Sequence, residues 1–250
     1  MEVVYNDELT TLYYGNFYEG FDVCPNADLV LVDPPYGETS LEWDHWPIGW
    51  PALIAGAVKR NVSLWCWGSA RMFWDHRDEF RDWCLCQDIV WDKSNGGGFR
   101  NDRFYRIHEY ALMFRRPGVR WRDVYHSAQY TRGHRPYVRE RKRTTNGIYG
   151  GGQGSCVSYS DGRRLVRSVI QTPSPRCGRE GVFHNTQKSE LITKYLVKYS
   201  CPPGGTVFDP FSGSATTLVC ARREGRRAIG IESNAECCAK SVKRLLDDKR

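Results

Sequence analysis

The chain has 250 residues, 40% hydrophobic and 26% charged, an ordinary globular composition with enough apolar material for a core. No run approaches the roughly 18 apolar residues a membrane helix needs. Met1–Asp7 also lacks the basic and apolar regions of a secretory signal, so a cytoplasmic location is expected. Net charge is +7, yet residues 115–180 carry 15 Lys and Arg against 4 Asp and Glu, which leaves the remainder net negative. A basic segment on an acidic body is the electrostatic footprint of a nucleic-acid face.

In chain order, a short strand after residue 10 precedes a turn at Gly15-Asn16 and a buried strand over Asp28–Val32. Pro34 and Pro35 cannot continue a sheet ladder, so the chain must leave the sheet there. Val62–Trp67 is a further strand, closed by Gly68. Ser69 caps an expected helix through Arg71–Cys84 with Trp74, Phe80 and Trp83 on its apolar face. Ile89–Trp91 and Tyr110–Phe114 read as strands, the second ending before Pro117-Gly118. Residues 117–180 are rich in Arg, Gly, Ser and Tyr and read as an irregular insertion with short strands at best.

Helical periodicity returns at Ser189, with Leu191, Ile192, Tyr195, Leu196 and Tyr199 on one face. Pro202–Gly205 stops that helix. The strand Thr206–Phe208, a helix from about Ser214 to Arg223, the strand Ala228–Ile231 and a helix Ala235–Leu246 follow. Strands alternating with helices around one basic insertion imply a three-layer α/β body. The ten cysteines contain no Cys-x-x-Cys spacing, the nearest pairs being Cys84/Cys86 and Cys237/Cys238. Reduced thiols and no metal site are therefore expected.

Two strings follow buried strands: Asp33-Pro34-Pro35-Tyr36-Gly37 and Asp209-Pro210-Phe211-Ser212-Gly213-Ser214. In open α/β sheets, ligands collect at the carboxyl ends of strands. The first string offers a carboxylate on a stiff loop with an aromatic face; the second offers small residues and free N–H groups opening a helix. About 20 residues further, Glu232 ends the next strand, where an acid can bind ribose hydroxyls.

The pair of strings resembles the DPPY and FxGxG signatures of S-adenosylmethionine-dependent methyltransferases acting on exocyclic amines of DNA bases. Their order resembles the circularly permuted beta group. The resemblance implies a Rossmann-like fold with a mostly parallel seven-stranded sheet and one antiparallel strand. It implies Asp33, Pro34, Pro35 and Tyr36 as catalytic, with Tyr36 stacking on a base flipped out of the duplex. It also implies a cofactor site of Asn16, Phe17, Asp33, Thr186, Lys188, Asp209, Phe211, Gly213, Ser214 and Glu232.

Supporting strings are Gly15-Asn16-Phe17, Trp91-Asp92-Lys93-Ser94-Asn95, His108-Glu109-Tyr110 and His184-Asn185-Thr186-Gln187-Lys188-Ser189. The last is similar to an HPTQKP segment, with Asn185 and Ser189 replacing prolines. Asn16 replaces an acid, and Ala215 replaces a glycine at what reads as a helix start, where alanine should be tolerated. The cytosine carbon-5 enzymes carry a Pro-Cys nucleophile, which this chain lacks.

The division expected is 1–116 for the catalytic half, 117–181 for a target-recognition insertion and 182–250 for the cofactor half. Within the insertion, Arg120, Arg122, Arg132, Arg135, Arg139, Arg141, Lys142 and Arg143 are candidates for phosphate or guanine contacts. The acid opening the catalytic string points to adenine N6 in double-stranded DNA, since cytosine-N4 enzymes of this family more often open it with serine. Cytosine N4, RNA adenine, and a DNA-binding module with a decayed site are the alternatives. The resemblance leaves room for a homodimer and a cognate restriction enzyme, in a bacterial cell or phage-infected host.

Overall fold

Four consecutive apolar residues, Leu29–Val32, are all buried, as a central strand covered on both faces requires. The structure, a computed structural model, describes residues 1–94, 102–143, 154–175 and 186–248. Asn95, His184 and Asn185 of the supporting strings lie outside these residues, as do the side chains of Arg141, Lys142 and Arg143.

The described strands are β1 (Glu2–Asn6), β2 (Thr10–Tyr14), β3 (Leu29–Val32), β4 (Ser63–Gly68), β5 (Cys84–Asp92), β6 (His108–Arg115), β7 (Tyr130–Thr131), β8 (Tyr137–Arg143), β9 (Gly154–Ser160), β10 (Arg164–Leu165), β11 (Val169–Gln171), β12 (Thr206–Asp209) and β13 (Arg227–Glu232). The α-helices are α1 (Trp50–Ala57), α2 (Ala70–Asp75), α3 (Glu190–Ser200), α4 (Thr216–Arg223) and α5 (Ala235–Asp247).

Nine strands form the main sheet in the order β1-β2-β13-β12-β3-β4-β6-β5-β11. The expected seven-stranded sheet with one antiparallel member, β6, is its central part. The largely exposed strand β1 and the short β11 extend it at the two edges, pairing antiparallel with β2 and parallel with β5. Alternation along the strands splits the core. Leu29 and Leu31 pack with Ile192, Leu196, Leu218 and Leu245 of α3, α4 and α5. Val30 and Val32 pack with Trp50, Ile54 and Met72 of α1 and α2. Three layers result.

The register aims chemistry at one edge. β2, β13, β12, β3 and β4 are mutually parallel, so Tyr14, Glu232, Asp209, Val32 and Gly68 end together. Because β6 runs the other way, its first residues, His108 and Glu109, join that edge beside the last residues of β5.

Some local expectations change. Ser69 does cap a helix, accepting from Met72 N at 3.0 Å, but α2 stops at Asp75 and a 3-10 turn over Arg77–Phe80 leads into β5. Trp74 consequently faces solvent, while Phe80 and Trp83 are buried. On α3 the buried face is Ile192, Thr193, Leu196, Val197 and Ser200, with Leu191 exposed. Ala215 is not helical; it sits before α4 with φ +57°, a left-handed conformation that favours glycine and costs alanine about 1 kcal/mol.

The chain divides into two compact units, Met1–Ser127 with Ser168–Arg250, and Ala128–Arg167. Residues flanking the second unit belong to the first: Val124 is in its core and β11 is in its sheet. The second unit is more regular than composition suggests. It holds the β7–β10 pair and a β8–β9 ribbon in which Val138 faces Tyr159 and Arg139 faces Ser158. Val138, Arg139, Val157 and Tyr159 are exposed on this ribbon, and Arg132 and Arg135 are exposed before it.

Candidate active site

A cleft of about 570 Å³ opens at the carboxyl edge of the first unit, lined by residues of both strings. Asp33 follows β3 and is half-buried. Its Oδ1 accepts from the Tyr36 hydroxyl at 2.8 Å, and its Oδ2 meets Lys188 Nζ at 2.8 Å. Burial pushes the Asp33 carboxyl above its ordinary range; Lys188 opposes this and Glu109 adds to it. Burial works against the Lys188 ammonium, but Asp33 and Glu109 outweigh it and hold its pKa above the usual lysine value. The Tyr36 hydroxyl is pushed well up by burial and by Asp33, so it remains a donor.

Behind the loop stands Asp44, a residue that neither motif reveals. Its Oδ1 accepts from the N–H groups of Tyr36 (2.8 Å) and Gly37 (2.9 Å). Its Oδ2 accepts from the N–H groups of Glu38 (3.1 Å) and Thr39 (2.7 Å) and from the Thr39 hydroxyl (2.6 Å). Gly37, at φ +70°, makes the turn that aligns these donors. Burial disfavours the Asp44 charge, but the five hydrogen bonds outweigh it and hold the pKa below the ordinary value of 3.8.

Asp44→Ala is expected to cost about 3 kcal/mol in chemical denaturation, with Asp44→Asn recovering part, because four N–H groups lose an ionised acceptor. A group with a depressed folded pKa contributes stability above its unfolded value that is lost as pH falls through the folded one. The difference between wild type and Asp44→Ala should therefore shrink below pH 3.8. A constant difference down to pH 2 would remove Asp44 as an ionised anchor.

On the other side of the cleft, Asp209 is buried at the end of β12, accepting from Phe211 N at 3.1 Å. Burial pushes it up to about 7. Glu232 accepts from Gly213 N and Asn234 N, each at 2.7 Å, and burial raises its pKa as well. Asn16 caps a 3-10 turn by accepting from Tyr18 N at 3.0 Å, and Phe17 is buried with its ring 5.1 Å from that of Phe211. A Cβ placed on Gly213, at φ +49°, meets nothing nearer than Phe211 O at 3.9 Å, so there is room beside its Cα, while its N–H is held by Glu232 and its carbonyl by Ser241.

Every expected catalytic and cofactor residue lines this one cleft, although Lys188 reaches Asp33 rather than the Asp209–Glu232 side. Glu109, Lys93 and Trp67 join the site through strand pairing, with Lys188 Nζ 6.0 Å from the Trp67 ring. Lys93 and Glu109 stand in two of the supporting strings of the resemblance, which gave them no role, and Trp67 carried no signal beyond its place at the end of an expected strand. Arg120 pairs with Asp123 at 2.7 Å in the first unit.

Carboxylates, an aromatic pair and free space beside Gly213 at the strand ends suit a nucleotide-type cofactor next to a stiff acidic loop, the arrangement a small-molecule-dependent transferase needs. The family model described as DNA methylase, of N6/N4 type, matches residues 27–243, and the chain belongs to that family. It is similar to the type II methyltransferase M.HinfI of Haemophilus influenzae, 24% identical over 98% of this chain and 70% of the relative. It is also similar to M1.MboII of Moraxella bovis, 23% identical over 92% and 94%.

Among solved structures, the M1.HpyAVI–SAM complex superposes with a TM-score of 0.66 at 22% identity, covering 95% of this chain and 99% of the other. The cytosine-N4-specific PvuII DNA methyltransferase gives 0.65 at 15% identity, covering 100% and 90%. These likenesses establish the fold. S-adenosylmethionine is the methyl donor of the family, and the cleft fits it: acids suit a diol and cationic groups, and the aromatic pair suits a purine. Among the described residues no His, Cys, Asp and Glu cluster could hold a metal, eight cysteines are free, and no helix is long and apolar enough to cross a membrane.

Proposed function

We propose that this DNA methyltransferase methylates adenine N6 at a specific short sequence in double-stranded DNA, with Asp33 as the amine acceptor. The observation that carries the reading is the Asp33 carboxylate, fixed at a strand end by Tyr36 and Lys188 within the cofactor cleft. An exocyclic amine is a poor nucleophile because its lone pair is delocalised into the ring. Asp33 and the Pro34 carbonyl accept its two hydrogens and favour a more tetrahedral nitrogen, and the two prolines keep these acceptors preorganised. Bound S-adenosylmethionine supplies an electrophilic methyl group on a sulfonium. Burial, which raises the Asp33 pKa, also suits it to take the proton that nitrogen sheds on methylation.

Glu232 is the ribose ligand in this reading. Asn16, Phe17 and Phe211 hold the adenine, and Asp209, Gly213, Ser214 and Thr186 hold the methionine part. Tyr36 stacks on the flipped base. The second unit, with exposed Arg132, Arg135 and Arg139 and the run to Arg143, supplies phosphate contacts and target recognition. A restriction–modification setting follows from the type II names of the relatives.

Cytosine N4 is the second reading, favoured by the comparable likeness to the PvuII enzyme. DNA from methylation-deficient cells expressing the chain should yield N6-methyldeoxyadenosine on nucleoside mass spectrometry, confined to one sequence by single-molecule sequencing. Appearance of N4-methyldeoxycytidine alone would overturn the adenine assignment.

A further inference from the structure

Four charges alternate from the β5–β6 edge to the catalytic loop. Strand pairing sets Trp91 opposite Glu109 and Asp92 opposite His108, which brings Lys93 onto Glu109 Oε1. Lys188 Nζ lies between two carboxylates, 2.8 Å from Asp33 Oδ2 and 3.3 Å from Glu109 Oε2. The two contacts differ in kind. Glu109 Oε2 is buried and, among the described residues, lacks a hydrogen bond of normal geometry, so Lys188 is only within ion-pair reach of it. A buried carboxylate oxygen in that condition calls for a physical reason.

Asp33 supplies one. Its Oδ1 holds the Tyr36 hydroxyl and its Oδ2 holds Lys188, so an incoming amine competes with an ammonium for the same carboxylate. We propose that Glu109 Oε2 is a second seat for the Lys188 ammonium, which makes Glu109 a positioning residue that draws Lys188 off Asp33 when the amine arrives.

The inference rests on Asp33 being the amine acceptor. The movement is about 0.5 Å, the gap between ion-pair reach and a normal charged hydrogen bond. The Tyr36 and Trp67 rings, 5.5 and 6.0 Å from Nζ, offer the cation π faces along the way. Lys93 keeps Glu109 ionised: burial disfavours its charge, but Lys188 and Lys93 outweigh that and lower its pKa.

The groups facing Asp33 are Tyr36 on its own loop, Cys66 of β4, Glu109 of β6, Lys188 before α3 and Asp209 of β12, with Lys93 behind Glu109. Glu109 is among those that raise the Asp33 pKa. Its removal should therefore move the acid limb of kcat to lower pH, even as turnover falls.

The test uses Glu109→Gln and the charge-balanced double variant Lys93→Met/Glu109→Gln. In both, kcat should drop about tenfold or more, equal to ~1.4 kcal/mol. The acid limb should shift down, while S-adenosylmethionine affinity by calorimetry stays within about twofold. The double variant should regain thermal stability without regaining kcat, and it serves alone if the single variant does not fold. A merely structural Glu109 predicts that kcat returns with stability, and that result overturns the second seat, whereas the acid limb reports only the loss of the Glu109 charge beside Asp33. Should Asp33→Ala keep wild-type turnover, the acceptor reading itself fails, whatever the Glu109 variants do.

Discussion

Asp33→Ala should cut methyl transfer by about a thousandfold or more, roughly 4 kcal/mol of barrier, while S-adenosylmethionine binding stays within about threefold. The loop stays anchored, since Asp44 and not Asp33 holds the N–H groups of Tyr36 to Thr39. What is lost is the carboxylate that faces the amine and the partner of a buried ammonium. Lys188 keeps Glu109, so the cost in stability should be about 2 kcal/mol, below that of a fully orphaned buried charge. Wild-type kcat should fall as pH drops through the raised Asp33 pKa, because the protonated acid cannot accept both an amine hydrogen and the Lys188 proton. A variant retaining more than about a tenth of wild-type turnover would mean that another group accepts the amine.

Much of this site was legible because it sits where strands end. Asp33, Asp209 and Glu232 each follow a short apolar run, and parallel strands in adjacent register must bring such ends together. The residues to which the sequence assigned no role reach the cleft by other means. Glu109 opens an antiparallel strand, so only the direction of β6 brings it to the edge where the others finish. Asp44 acts through its carboxylate on the backbone of residues 36–39, a contact with no spacing signature.

The fold was readable to a similar degree. Helix α1 carries Pro51 in its first turn and Gly56 near its end, and tertiary burial of Trp50 and Ile54 stabilises it more than propensity does. Strand β1 is a largely exposed edge whose short run Val3-Val4-Tyr5 lies between polar residues, unlike the uniformly buried Leu29–Val32 of β3. Ala215 follows the pattern of a helix start in the sequence, whereas the position is a left-handed residue before the helix. Helix propensity was the wrong physics there.

The wild-type protein without cofactor should lose stability as pH rises from about 4 to 8, and Asp209→Asn should flatten that decline. Asp209 is 3% exposed, and burial raises its carboxyl from 3.8 to about 7. Between those values the folded chain holds a proton that the unfolded chain has shed, so stability falls with rising pH. The full cost, on the order of 4 kcal/mol, is present above pH 7. Asp33 and Glu232 have raised values too, so the difference between wild type and Asp209→Asn, rather than the wild-type slope, isolates this group. The methyl donor brings a sulfonium and an ammonium, which favour an ionised carboxylate nearby. Binding near pH 6 should therefore release protons, read as a calorimetric heat that changes with the ionisation enthalpy of the buffer, and Asp209→Asn should reduce that dependence by close to one proton. Identical heats in all buffers, with equal pH–stability curves for the two proteins, would mean that Asp209 is ionised before the cofactor arrives and that the cleft stores none of its binding energy as a protonated acid.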